Sequence, residues 1–290
     1  MRIRIFACLF LVTNGVPSAR AAAQTNSRAA PAGAFATLVG RRIWYLDTGG
    51  SGVPVVFLHA ASGSSAVWDN QIEAVRAAGF RFIAYDRLGS GRSVLDSGSA
   101  PGFAADDLEA LASFLKLGRF HLVGTAAGGI VALDYALSFP DHLRSLVVAN
   151  SIAGVQDDDY LALSRRMRPP PQFDALPAEV RELGPSYRAA DPVGTARWTE
   201  LAQQSRPSKP LPSPQQSRNR VTFAMLETIR VPTLLVTGGA DLYTPPPILK
   251  LFTDRMRGAE SLVVPDIGHS VYWEAPQTFN AALLSFLSRH

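Results

Sequence analysis

The residues of this chain best suited to chemistry stand far apart in sequence: a glycine-rich turn around Ala126, an acid at Asp241 and an imidazole at His269. The stretch VGTAAGG, Val123 to Gly129, closes a β-branched and aromatic run and opens an apolar helical pattern. It therefore predicts a strand, a sharp turn and a helix. Gly124, Gly128 and Gly129 give the spacing G-x-nucleophile-x-G, in which glycines let the backbone bend tightly enough to lift the central side chain above a sheet edge. The central side chain here is the methyl group of Ala126. A methyl cannot attack a carbonyl and no base can activate it, so a covalent route through this position is closed. Thr125, next to it, is predicted to point away from the imidazole. Dinucleotide-binding turns share the strand–glycine–helix pattern, but the full G-x-G-x-x-G spacing they need is absent.

Asp241 lies in GADLYTPP, directly after the apolar run VPTLLVTG and ahead of a proline-started helix. His269 lies in LVVPDIGHSVYWEAP, after the last strand pattern. Both fall at the carboxyl edge of the predicted sheet, where open α/β sheets gather their sites. An imidazole oriented by a buried carboxylate is a general base, and that is the role predicted for the pair. An N-cap role for Asp241 is the structural alternative. Asp266 and Asp86 read as turn residues, and His121, His142 and His290 as ordinary strand, loop and terminal positions. No spacing among the histidines marks a metal site, and no cofactor is implied.

The elements that must position these groups alternate. RIWYLD, PVVFLH, FRFIAYD, FHLVGT, LRSLVVAN, VPTLLVTG and ESLVVPD read as strands from Thr37 onward, several of them continuously apolar, as strands buried on both faces are. WDNQIEAVRAAG, FAADDLEALASFLKLG, GGIVALDYALSFP, PPPILKLFTDRM and PQTFNAALLSFLSRH carry apolar residues at three- and four-residue spacing, the mark of amphipathic helices. The prediction is an α/β chain with a mostly parallel sheet flanked by helices. Between residues 152 and 228 the rhythm breaks. No strand is evident there, and ten of the 21 prolines fall between Pro169 and Pro214. Strand patterning resumes at Val231, so this segment reads as a helical, proline-rich cap inserted in one core made of residues 24–151 and 229–290. Tyr160, Met167, Phe173, Tyr187 and Trp198 within it are candidates to line an apolar substrate site.

Taken together, these segments resemble the α/β-hydrolase family from about Thr37 to the C-terminus, the cap excepted. VVFLHAASGSSAVWD is similar to the family's oxyanion loop, with His59 and Trp68 at the matching positions, and IAYDRLGSGRS to its Asp-x-x-Gly-x-Gly-x-Ser turn, with Asp86, Gly89, Gly91 and Ser93. Ala126, Asp241 and His269 stand in the family's order of nucleophile, acid and histidine. The resemblance implies that His59 fixes the oxyanion loop, and that the backbone N–H of Ala127, with one from Ala60 or Ala61, forms an oxyanion hole. Two departures stand out: Ala60 replaces the usual glycine, and Ala126 replaces the nucleophile. The function that the resemblance implies is hydrolysis of a small, largely apolar ester, lactone or activated C–C bond. The competing readings are a nucleophile-free lyase or cofactor-independent oxygenase driven by the Asp241–His269 base, and a ligand-binding protein without turnover.

Residues 1–23 open with Arg2 and Arg4, run apolar from Ile5 to Val12 and end in three alanines, the pattern of a cleaved secretory signal. The apolar run falls far short of the roughly 20 residues that span a bilayer, so a periplasmic or secreted protein without stable membrane insertion is expected. The only cysteine, Cys8, lies in that segment, so the mature chain would carry no disulfide and no thiolate metal site. The formal charge of +4 falls to 25 basic against 24 acidic side chains once Arg2, Arg4 and Arg20 leave. Such a near-neutral chain gives no electrostatic reason to expect nucleic acid as a partner. A small-molecule substrate is expected instead, and the oligomeric state is open.

Overall fold

The computed structural model describes residues 31–290 apart from 32, 168 and 208. The expected signal segment lies outside these described residues. Strands β1 (Gly33–Leu38) and β2 (Arg41–Asp47) form an antiparallel hairpin, with Leu38 opposite Arg41 and Gly40 at φ +74° closing the two-residue turn. Seven strands come after it: β3 (Pro54–Leu58), β4 (Arg81–Tyr85), β5 (Val94–Leu95), β6 (Phe120–Thr125), β7 (Leu143–Ala149), β8 (Thr233–Gly238) and β9 (Glu260–Val264). They join one sheet in the order β1-β2-β4-β3-β6-β7-β8-β9, with β5 paired to the edge of β2. From β4 to β9 every pairing is parallel.

Eleven α-helices are described: α1 (Asp69–Ala77), α2 (Ala104–Phe114), α3 (Ala127–Ser138), α4 (Asp158–Met167), α5 (Ala178–Glu182), α6 (Pro185–Ala190), α7 (Pro192–Gln204), α8 (Phe223–Leu226), α9 (Pro246–Arg255), α10 (Val271–Glu274) and α11 (Pro276–Leu287). Because alternate strand residues face opposite ways, the sheet feeds two cores. Val56, Leu58, Ile83 and Leu122 pack with α2, α3 and α9, whereas Val55, Phe57, Phe82 and Val123 pack with α1, α7, α10 and α11. Phe57 stacks on Phe82 at 4.8 Å and lies 5.0 Å from Trp68, which anchors β3 just before the loop that carries Ala60 and Ala61. Truncating such a ring to Ala would cost about 3–5 kcal/mol.

This sheet order, with helices on both faces, is the α/β-hydrolase fold that the motifs imply. Seven of the nine strands coincide with the predicted runs. The first strand begins at Gly33, ahead of the predicted start at Thr37: only Ala36 of its six residues is buried, so GAFATL presents no apolar run. The two-residue β5 is equally silent. Between β7 and β8 the chain holds α4 to α8 and, among the described residues, no strand. No helix among the described residues is long and apolar enough to cross a membrane.

Candidate active site

The turn after β6 places Ala126 at φ +49°, ψ −117°, a backbone conformation that L residues rarely adopt. Close packing forces it. A Cβ on Gly124 would meet the Gly128 carbonyl oxygen at 2.5 Å, and one on Gly128 would meet that of Leu58 at 2.3 Å, so only glycine lets α3 start directly against β3 and β6. The turn is then pinned at both ends of Ala126. Its N–H donates to the Ala149 carbonyl at 2.9 Å, and its carbonyl accepts the Ser151 hydroxyl at 2.7 Å. Ala127 is the first residue of α3, and the first N–H groups of a helix have no intrahelical acceptor and sit at its positive end. The neighbouring Thr125 is fully buried and, unlike Ala126, does not line the cavity at this turn, so its hydroxyl is not placed to stand in for the missing nucleophile.

Opposite this turn, the loop after β3 is held by two buried groups. The backbone N–H of Arg87 donates to His59 Nε2 at 2.9 Å, which makes that nitrogen an acceptor and leaves the proton on Nδ1 for the Ala60 carbonyl at 2.7 Å. Burial first and the nearby Arg87 charge second push the His59 pKa well down, so it remains a neutral tether. The carboxylate of Asp86 accepts the N–H groups of Ser65 and Arg92, both at 2.7 Å. Gly91, at φ +53°, leaves room for it, since a Cβ there would lie 2.1 Å from Asp86 Oδ2. Asp86 and His59 are structural, as the sequence suggests.

The acid and the imidazole meet across the ends of β8 and β9. His269 Nδ1 lies 2.9 Å from both carboxylate oxygens of Asp241. Asp241 is 2% exposed and fully engaged: Oδ1 accepts the N–H groups of Tyr243 and Thr244, and Oδ2 accepts the Asn150 amide at 2.9 Å. Burial alone would raise its pKa, but the charge and hydrogen bond of His269, helped by Asn150 and Thr244, outweigh it and hold the carboxyl near 2. For His269 burial works downward, and Asp241 foremost, then Glu182 and Glu274, raise the pKa above its ordinary value. The result is an ionised acid beside an imidazole that takes up a proton readily, with Nε2 left for the cavity. That is the arrangement of a general base.

Ala60, Ala61, Ala126, Ala127 and His269 all line one cavity of about 270 Å³, together with Ile130, Asn150, Ile152, Glu182 and Tyr243. Asp241 sits behind His269, where an orienting carboxylate belongs. Every residue singled out from the sequence as catalytic or oxyanion-forming is thereby brought to one place. Among the described residues no group of three or more His, Cys, Asp or Glu side chains converges as metal ligands would. Past Ile152 and Tyr243 lies a second chamber of about 200 Å³, lined also by Tyr160, Met167 and Phe173. Trp198 and Tyr187 are placed elsewhere. Trp198 is 2% exposed and packs into the core with Tyr272 and Trp273, and the Tyr187 hydroxyl donates to Asp191. Aromatic spacing in a short helix does not distinguish lining from packing.

Four residues at the site escape sequence reasoning. Asn150, at φ +49°, joins Asp241 to the His269 loop through the Gly268 carbonyl at 3.2 Å. Its position at the end of an apolar strand is the one available signal. Tyr243 lays its ring 4.6 Å from that of His269. Glu274 accepts the N–H groups of Gly184, Gly268 and Ser270, and the Glu182 carbonyl accepts the His269 N–H at 2.7 Å. These last two contacts fasten the His269 loop to the chain around α5, and nothing in the local sequence announces a contact so distant.

Comparison with known proteins agrees with this fold. The model of the family described as "Alpha/beta hydrolase family" matches residues 55–282. RutD of Caulobacter sp. (strain K31), provisionally named a carbamate hydrolase, is 32% identical over 256 residues, covering 81% of this chain and 90% of that protein. The 2-hydroxy-6-oxononadienedioate/2-hydroxy-6-oxononatrienedioate hydrolase of Burkholderia vietnamiensis is 28% identical and covers 86% and 91% of the two chains. Among solved structures, a thermophilic esterase from Thermogutta terrifontis superposes with a TM-score of 0.72 at 25% identity, covering 86% of this chain and 94% of that one.

Proposed function

Given that this chain belongs to the alpha/beta hydrolase family, we propose that it hydrolyses a small, largely apolar ester or lactone, or an activated C–C bond, at the Ala126–Asp241–His269 site. The observation that carries the reading is the single cavity that brings His269, backed by Asp241, to the start of α3 and the Ala60–Ala61 loop. A carbonyl whose oxygen points at the N–H groups of Ala127 and of Ala60 or Ala61 gains stabilisation as negative charge develops. With Ala126 at the turn the attacking group is water. His269 Nε2 takes its proton, Asp241 holds the imidazolium that forms, and the same proton passes to the leaving group. The reaction then runs without a covalent intermediate. Similar proteins named a carbamate hydrolase, a 2-hydroxy-6-oxononadienedioate hydrolase and an esterase support a hydrolytic reading.

We read residues 152–228 as the cap, with the Tyr160–Met167–Phe173 chamber receiving the apolar part of the substrate. Export rests on the pattern of residues 1–23 and is part of the same proposal. The raised basicity of His269, beside a turn that offers no nucleophile, favours one further reading. In it the base removes a proton from the substrate itself, as a lyase or a cofactor-independent oxygenase would require.

The experiment is turnover of a panel of aryl esters and lactones by the chain as it stands, by His269→Ala and by Ala126→Ser. Hydrolysis that needs His269 in the Ala126 form supports the water route. Hydrolysis only in Ala126→Ser assigns the fold to serine-type chemistry held off by one side chain. No hydrolysis in any form would sink the proposal and leave proton abstraction or simple binding.

A further inference from the structure

Glu182 is the one carboxylate that lines the candidate cavity; its charge adds to the basicity of His269 and Ser62 of the oxyanion loop donates to it, yet one of its oxygens has no role in either. It closes α5, and its main-chain carbonyl holds the His269 N–H, so its position beside the imidazole is fixed by the backbone. Oε2 accepts the Ser62 hydroxyl at 3.0 Å. Among the described residues the Ser62 hydroxyl is the one donor hydrogen-bonded to the carboxylate, and it reaches Oε2 alone. The surroundings sharpen the question of what it meets. The candidate cavity shares Ile152 and Tyr243 with the apolar chamber, and Ala61 and Glu182 with a larger, more polar cavity of about 540 Å³. Glu182 therefore stands where the candidate cavity opens into its more polar neighbour.

We propose that Glu182 is a specificity-determining residue that accepts a hydrogen bond from a donor group, ammonium or hydroxyl, on the limb of the substrate directed away from the apolar chamber. This rests on the reading that the cavity takes the substrate. A carboxylate oxygen that lines a largely apolar cavity and has no protein donor is placed to accept one from a ligand, and a ligand without a donor leaves that contact unmade. A substrate apolar at one end and hydrogen-bond-donating at the other satisfies both the apolar chamber and Glu182. The ordinary test substrates of esterases, apolar at both ends, would miss this contact.

The test uses three ligands of one shape that cannot be hydrolysed: the butyl ethers of 4-methylphenol, 4-(hydroxymethyl)phenol and 4-(aminomethyl)phenol. Their dissociation constants are measured by calorimetry on the parent protein, Glu182→Gln and Glu182→Ala. The parent is expected to bind the aminomethyl ether about tenfold or more tightly than the methyl ether, the ratio a charge-assisted hydrogen bond sustains. Glu182→Ala is expected to level the three. Glu182→Gln keeps an acceptor and loses the charge, so a preference for hydroxymethyl that survives it marks a neutral donor, and a preference for aminomethyl that it abolishes marks a cation. Equal binding of all three by the parent, or a preference unchanged in both variants, overturns the assignment. Because ethers are inert, failure of ester turnover in every form would count against hydrolysis while leaving this result intact.

Discussion

The two halves of the candidate site are built with equal care and equipped unequally. On the β8–β9 side every oxygen of Asp241 is engaged and the imidazole is poised by three carboxylates. On the β6 side the backbone adopts the same kind of costly turn that lifts a nucleophile over a sheet, and lifts a methyl group instead. The strain at Ala126 has no use for a side chain that does nothing. It does have a use for the N–H of Ala127, whose direction depends on the turn and not on what the turn carries. The difference teaches that oxyanion stabilisation is a property of backbone and can outlast the nucleophile, whereas general-base chemistry is a property of side chains and is lost with any one of them.

The largest test of that contrast restores the missing group. Ala126→Ser is expected to raise aryl-ester hydrolysis by about 10⁴-fold or more, since loss of one triad member costs about 10⁴–10⁶ in kcat. Adding His269→Ala should remove the gain. Next in size, Asp241→Ala strips buried donors from Tyr243, Thr244 and Asn150 of their acceptor and is expected to cost about 3 kcal/mol, read as a lower urea midpoint at unchanged slope. On the other half the sign reverses. Ala126→Gly relieves the positive φ and is expected to stabilise the fold by about 1 kcal/mol in the same assay, so a destabilised glycine variant would show that the turn stores no strain.

The smallest effect concerns pH. His269 must be neutral to accept a proton, so the rate of the Ala126→Ser form should rise with pH through the raised pKa of the imidazole. Asp241, Glu182 and Glu274 all contribute to raising it. Glu182→Gln removes one of the three and should move the rise toward lower pH, visible in kcat/KM profiles of the two forms. An unmoved profile would mean that the Glu182 charge is not felt at His269, and one displaced to higher pH would contradict the sign of its effect.

The contrast between the halves is itself legible in the sequence. Glycines at 124, 128 and 129 reveal the turn because close approach excludes every other residue, and Asp241 and His269 reveal themselves by their places directly behind apolar strands. What holds them is hidden. Asn150, Glu182, Tyr243 and Glu274 gain meaning only from contacts across the fold, and a lone Glu in a short helix has no periodicity to betray it. The first strand is hidden for a related reason, since an edge strand with one buried residue has no pattern to show.

The Glu274 carboxylate bridges the N–H of Gly184 to those of Gly268 and Ser270, and the Glu182 carbonyl takes that of His269. Traffic into the cavity has to respect that seam. Lifting the chain away at Gly184 would break several buried bonds at once, at about 1–3 kcal/mol each, and such an opening is too rare to serve every turnover. With that seam shut, a ligand's way in and out is by the rim of the apolar chamber, where Leu242 is exposed, or by the larger cavity that meets the site at Ala61 and Glu182.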